Sequence, residues 1–183
     1  VSHPDLHDDA TRLLTGWRPT SHDQKALREA FLGFLAARDD ATARSCAPGH
    51  LTASAVVLDA ARTSVLLTLH PRVGRWLQLG GHCEDGDTTI AGAALREATE
   101  ESGIDGLVID DGALHLDVHP ITCSLGMPTR HFDLRYRVIA PTGAVARISA
   151  ESDDLRFWPL DALPAGRAAA DDSLRAAVAA LRP

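Results

Sequence analysis

Aromatic residues are scarce in this chain, at 4% of 183 positions: four Phe, three Trp and one Tyr. Its core must therefore be built from Leu, Val and Ala, and an apolar content of 45% is enough for one. Cysteine is scarce too. Cys46, Cys83 and Cys123 are odd in number and no two have C-x-x-C spacing. That argues against a disulfide framework or a zinc ribbon and leads us to expect the reducing cytoplasm. Positive charge is in deficit. The net charge of -7 disfavours a general nucleic-acid or membrane-surface binder. It leaves room for a phosphate substrate, because a bound metal reverses the local field. No apolar run of about 18 residues is present, so no membrane span is expected. The opening VSHPDLHDDA has no basic region followed by an apolar run, so no signal peptide is expected. There are no internal repeats. The length fits one ordinary domain.

Residues 1–48 read as a helical extension. Ser21 is placed to cap a helix over 23–38, with Leu27, Ala30, Phe31, Phe34 and Leu35 on one face, and a shorter helix precedes it near 5–15. The Ala47-Pro48-Gly49 break then opens a strand-rich region. His50–Leu58 and Ser64–His70 are Val/Leu/Thr rich and are joined by a turn near Asp59. Residues 75–79 form a short strand leading to a Gly80-Gly81 turn. Short extended character at 107–109, alternating strands at 114–121 and 131–139 with a connection at 125–129, and a last strand at 155–160 follow. A final Ala-rich helix over 172–181 is capped by Asp171.

The residues that carry chemistry lie on a helix after the Gly-Gly turn, in LGGHCEDGDTTIAGAALREATEESGI. Thr88 or Thr89 can cap it, and Ile90, Ala93, Ala94 and Ala98 give it a small apolar stripe. Glu97, Glu100 and Glu101 share one side. Like charges at this spacing repel by a few tenths of a kcal/mol, roughly, in a free helix. A divalent cation offsets that repulsion, and hard carboxylate oxygens suit magnesium or manganese. The glycines let the backbone approach closely. Arg96 can fork onto a neighbouring carboxylate and fix its rotamer. Such a centre suits phosphoryl or nucleotidyl transfer to water, with a carboxylate as base.

At these residues the chain resembles the Nudix hydrolases, whose signature is G-x(5)-E-x(7)-R-E-U-x-E-E-x-G-U with U aliphatic. Residues 96–104, Arg-Glu-Ala-Thr-Glu-Glu-Ser-Gly-Ile, match the second half. The first half departs twice. Counted from Gly81, the first glutamate is Asp87, and one extra residue separates it from Arg96. The likeness covers roughly 50–165, and it implies an α+β fold (an α/β/α sandwich): a mixed sheet between helices over 49–183, with residues 1–48 added. It implies metal ligation by the Gly80 carbonyl and by Glu97, Glu100 and Glu101, one of the glutamates also serving as base. Arg96 would orient a glutamate, and Glu151, from the acidic stretch before the last strand, would supply a further ligand, with Asp153 and Asp154 as competitors for that role and a solvated acidic turn as the other reading. The implied reaction is hydrolysis of a phosphoanhydride in a nucleoside diphosphate linked to another group, with magnesium or manganese as cofactor.

The histidines form a second pattern. His115, Asp117 and His119 share one strand face, as do His131, Asp133 and Arg135 on the next. If that face lines the cleft, His115, His119 and Arg135, with His82 beside the Gly-Gly turn, would grip the substrate, or imidazoles would hold a second metal. A hydrogen-bonded network bracing the sheet is the competing reading. Trp76, Trp158 and Tyr136 could stack on a base or belong to the core. Two other activities compete with hydrolysis. One is an isomerase like those of isopentenyl diphosphate, hinted at by Cys83; the other is a nucleotide-binding regulator without catalysis. The intact glutamates argue against both, and the 19 residues after Pro164 are too few for a DNA-binding domain. The added helices and small apolar faces are compatible with a homodimer.

Overall fold

The uninterrupted apolar run AVVL and its partner VLLTL need burial on both faces, and the computed structural model provides it. All nine residues of β1 (His50–Leu58) are buried, and β2 (Ser64–His70) is buried over its centre. The structure describes residues 4–122, 126, 128–149 and 152–182, with residues 111–113 described by backbone alone. The other elements are α1 (Pro4–Gly16), α2 (His22–Ala37), β3 (Arg75–Leu77), β4 (Leu79–His82), α3 (Ile90–Ser102), β5 (Val108–Thr122), β6 (Pro128–Ile139), β7 (Asp154–Pro159) and α4 (Asp172–Ala180). The architecture is α+β. The sheet order is β3-β2-β1-β6-β5, with β4 pairing β1 and β7 pairing β2.

Contacts divide the chain into two compact units that interleave along the sequence. The first holds Val1–Ala53, His82–Ala93 and His115–Leu134. In it α1 buries Leu6, Ala10 and Leu14, and α2 buries Phe31 and Leu35. Phe34 stacks on Phe132 at 4.2 Å and Phe31 meets the same ring edge-on at 5.2 Å. This small aromatic cluster concentrates half-scarce rings where their large area counts most. Ser21 caps α2 by accepting from Gln24 N–H. Gln24 itself brackets the β5 backbone, donating to Leu116 O at 2.9 Å and accepting from Leu116 N at 2.7 Å. That covers part of a sheet edge that would otherwise offer open backbone groups. Asp9 of α1 accepts from Ile90 N–H at 2.9 Å, and Thr89 accepts from Gly92 N–H at 3.0 Å, so the start of α3 is capped twice.

The second unit holds Ser54–Gly81, Ala94–Leu114 and Arg135–Pro183. Val57 faces Leu66 across β1–β2, and Val65 faces Trp158 across β2–β7, both pairs antiparallel. Val56, Leu58, Val65, Leu67 and Trp76 pack with Leu174, Ala177 and Val178 of α4. Asp171 caps α4 by accepting from Leu174 N–H at 2.8 Å. Trp76 and Trp158 meet edge-on at 5.1 Å beneath the Arg156 guanidinium, so the two rings belong to the core. Two local expectations change. Gly80-Gly81 is not a turn but part of β4, and the separate extended pieces at 107–109 and 114–121 are one strand, β5. Within β5, Asp110 pairs with Arg137 at 2.9 Å and Arg62 at 3.2 Å.

Candidate active site

Two clusters of functional side chains emerge, one in each unit. The first is the glutamate helix. Ala93, Ala94 and Ala98 of α3 are fully buried, which turns the opposite side outward with its charged residues. Gly103, with φ 62°, ends the helix in the left-handed conformation, its N–H bonded to Thr99 O at 2.8 Å.

Glu97 is more enclosed than Glu100, its side chain 14% exposed against 60%. A Cβ on Gly81 would stand 2.6 Å from Glu97 Oε1 and 2.9 Å from Oε2. No side chain could occupy that position without displacing the carboxylate. Arg96 Nη1 lies 3.2 Å from Glu97 Oε1 and 3.1 Å from Glu100 Oε2, so one guanidinium ties two glutamates together. Gly80 N–H donates to Glu101 Oε2 at 3.1 Å, and Gly80 adopts φ 146°, a region that favours glycine. Residues 96–101 carry three glutamates and one arginine. The donor set is all oxygen, anionic and partly enclosed, and so fits a hard divalent cation.

Asp87 lies in the first unit and closes its own loop: its carboxylate accepts from Glu84 N–H at 2.8 Å and its N–H donates to Glu84 O at 3.0 Å. Cys83 is 6% exposed, buried rather than presented as a nucleophile. Glu151 and Cys123 lie outside the described residues.

The second cluster belongs to the first unit. Among the described residues, His50, His82 and His131 bring one ring nitrogen each within 4.8 Å of the others. Their rings stand 5.0 Å apart in all three pairings. His119 adjoins His131 at 5.3 Å, and its Nδ1 is bonded to Asp117 Oδ2 at 2.8 Å. His50 is 1% exposed, and neither of its ring nitrogens makes a hydrogen bond; His131 Nε2 is likewise buried without a partner. Each such atom costs about 1–3 kcal/mol of lost solvation.

Burial, followed by the charge of Arg44 and the neighbouring imidazoles, lowers His82 to about 3. Burial, His50 and His119 lower His131 to about 4, with Asp133 pulling the other way. Burial also lowers His50; the Cys46 backbone lies near enough to oppose this without hydrogen-bonding geometry. All three rings are therefore neutral near pH 7.

The remaining expected residues are placed elsewhere. His115 is 7% exposed, with Nε2 3.4 Å from Gln24 Nε2. Arg135 is 3% exposed and donates to Ser173 O and Oγ at 3.2 and 2.7 Å, which braces the start of α4. Of the shared strand face, His115, Asp133 and Arg135 are buried, and Asp117, His119 and His131 are partly exposed. His50 had no signal in the sequence beyond opening a strand. It joins the others because β1 is central in the sheet.

The chain matches the NUDIX domain family over residues 48–179. No curated protein matches it. Among solved structures it is similar to the Ap4A hydrolase of C. elegans in a binary complex, at 18% identity and TM-score 0.56, covering 71% of this chain and 93% of that one. It is also similar to a MutT NUDIX hydrolase from Burkholderia pseudomallei, at 21% identity and TM-score 0.51, covering 73% and 98% of the two chains. The E. coli dihydroneopterin triphosphate pyrophosphohydrolase is a third, at 18% identity and TM-score 0.51, covering 72% and 94%. At these identities the likeness is one of fold.

Proposed function

The chain belongs to the NUDIX family and is a hydrolase of acid anhydrides in phosphorus-containing substrates, and from that premise we propose that it cleaves a phosphoanhydride bond in a nucleoside diphosphate linked to another group. Glu97, Glu100 and Glu101, with the Gly80 carbonyl, would hold magnesium or manganese. Glu151 would be a further ligand. A bound divalent cation supplies charge neutralisation at the phosphate oxygens and lowers the pKa of water.

The chain's own residues do the rest. Arg96 holds Glu97 and Glu100 in fixed rotamers, so the carboxylates need little reorganisation when substrate arrives. The bare backbone of Gly81 lets Glu97 approach β4. The Gly80 N–H keeps one Glu101 oxygen engaged and so holds that carboxylate against β4. Glu100, the more exposed carboxylate, can reach a proton on an attacking water, as a general base must.

The observation that carries this reading is the contact between the Gly81 backbone and the Glu97 carboxylate, on a helix whose three glutamates have a single arginine among them. The substrate lies within a class rather than a single compound. Dinucleoside polyphosphates and pterin triphosphate enter it through the names of the similar structures, and ADP-ribose, nucleoside triphosphates and capped RNA ends share the same linkage.

The test is a hydrolysis panel of these compounds with magnesium, manganese and excess chelator, read by product identity. Metal-dependent release of a nucleoside monophosphate or of pyrophosphate is expected. Metal-independent turnover, or none across the panel in a folded protein, would refute the proposal.

A further inference from the structure

Among the described residues, the imidazole cluster is not needed by the proposed hydrolysis, and it lies wholly within the first unit. We propose that His50, His82 and His131 form a second, separate metal site that takes zinc or a similar borderline divalent ion.

Three nitrogens bound tetrahedrally at about 2.0–2.1 Å from an ion stand about 3.3 Å from one another. The three ring nitrogens already lie within 4.8 Å of each other, so small side-chain rotations close the remaining distance. They come from β1, β4 and β6, elements well separated along the chain and fixed by strand pairing rather than by a loose loop. His50, 1% exposed, has both nitrogens unsatisfied, and His131 has one. Buried polar atoms in a native structure are expected to have partners, and a cation provides one that two neutral imidazoles cannot give each other when both lack the proton between them.

Donor chemistry selects the ion. Imidazole without thiolate suits zinc, copper(II), nickel or cobalt, not the hard cations that the glutamates suit. The fourth coordination position belongs to His119 or to water. His119 stands beside His131, its Nδ1 held by Asp117, the arrangement in which a carboxylate orients a ligating imidazole. At 37% side-chain exposure it also marks a route from solvent. Arg44 opposes a dication here, and Asp117 and Asp133 offset it.

The test uses the full chain stripped with chelator and titrated at pH 7.5 with zinc, and with cobalt as a visible reporter. The decisive background is the Glu97→Gln/Glu100→Gln/Glu101→Gln triple variant, which removes the carboxylate centre. It should still bind one ion per chain and show the visible cobalt band of a low-coordinate nitrogen site. His82→Ala with His131→Ala should abolish that band and weaken zinc by on the order of 100-fold or more, beyond the effect expected for an outer-shell partner. Where those variants do not fold, X-ray absorption at the zinc edge of the triple variant decides: scattering from three imidazoles is expected. No ion bound by the triple variant, an oxygen-only shell, or binding indifferent to the histidine substitutions would overturn the site and leave a water-bridged histidine cluster. None of these readouts depends on hydrolysis, so the hydrolytic proposal stands or falls separately.

Discussion

Replacing Gly81 with alanine isolates the contact on which the glutamate centre is built. The added Cβ would sit 2.6 Å from Glu97 Oε1, 2.8 Å from Cδ and 2.9 Å from Oε2. Ordinary contact begins near 3.4 Å, so the nearest oxygen must move by roughly 0.8 Å. The obstacle is the end of a flexible side chain, and the fold can yield there cheaply, with a stability loss of about 1 kcal/mol or less. The chemistry cannot yield so easily. The shift stretches the 3.2 Å Arg96–Glu97 pair and displaces the carboxylate proposed as a ligand by nearly an ångström. A misplacement of that size costs on the order of 100-fold in rate, about 2.7 kcal/mol of barrier. Steady-state hydrolysis should show kcat reduced about that much and the half-saturating metal concentration raised, with the thermal midpoint lowered by only a few degrees. Turnover and metal dependence within about twofold of the unsubstituted protein would mean that Glu97 is not a ligand held against β4.

Gly33 offers the opposite outcome. A Cβ there meets nothing within 4 Å on an exposed helical position, so Gly33→Ala should stabilise α2 by roughly 0.5–1 kcal/mol and raise the thermal midpoint by about 1–4 °C without changing kcat. Asp59 supplies a pH signature. Burial raises its pKa, but acceptance from Ser64 and Thr63 N–H and the Thr63 hydroxyl outweighs this and lowers it below the usual 3.8. Its ionised form is favoured in the folded state, so its contribution is full above the unfolded value and is lost as pH falls through the folded one. Asp59→Asn should therefore cost on the order of 1–2 kcal/mol in urea melts at pH 7 and progressively less below about pH 4; an equal cost at both pH values would show that charge plays no part. Asp171→Ala removes the acceptor of Leu174 N–H at 2.8 Å, and should lower stability by about 1 kcal/mol with hydrolysis unchanged.

The parts of the fold legible in the sequence were those specified locally. The β-branched runs of β1 and β2 end at polar turn residues, and both strands span His50–Leu58 and Ser64–His70 as read from the sequence. Ser21 and Asp171 announced α2 and α4 because an N-cap acts within its own turn. The glutamate spacing was equally local, since residues one helical turn apart share a face whatever surrounds them. What failed to show depended on pairing across the chain. Gly80-Gly81 resembles a turn until a carboxylate from α3 is brought against it, and then the glycines are needed within a strand. Alternation on β6 suggested one polar face, yet Asp133 and Arg135 are nearly as buried as Leu134. His50 was hidden for the same reason: a lone histidine at the start of a strand acquires meaning only when its neighbours in the sheet are known.

The central claim is that the α3 glutamates hold the metal that makes this chain a hydrolase. Its most direct test is the metal-dependent turnover of Glu100→Gln and Glu101→Gln, measured on whichever substrate of the panel the unsubstituted protein cleaves. Each should lose on the order of 100-fold or more in kcat with its folding retained by circular dichroism. Two folded variants with undiminished, metal-dependent activity would contradict the account.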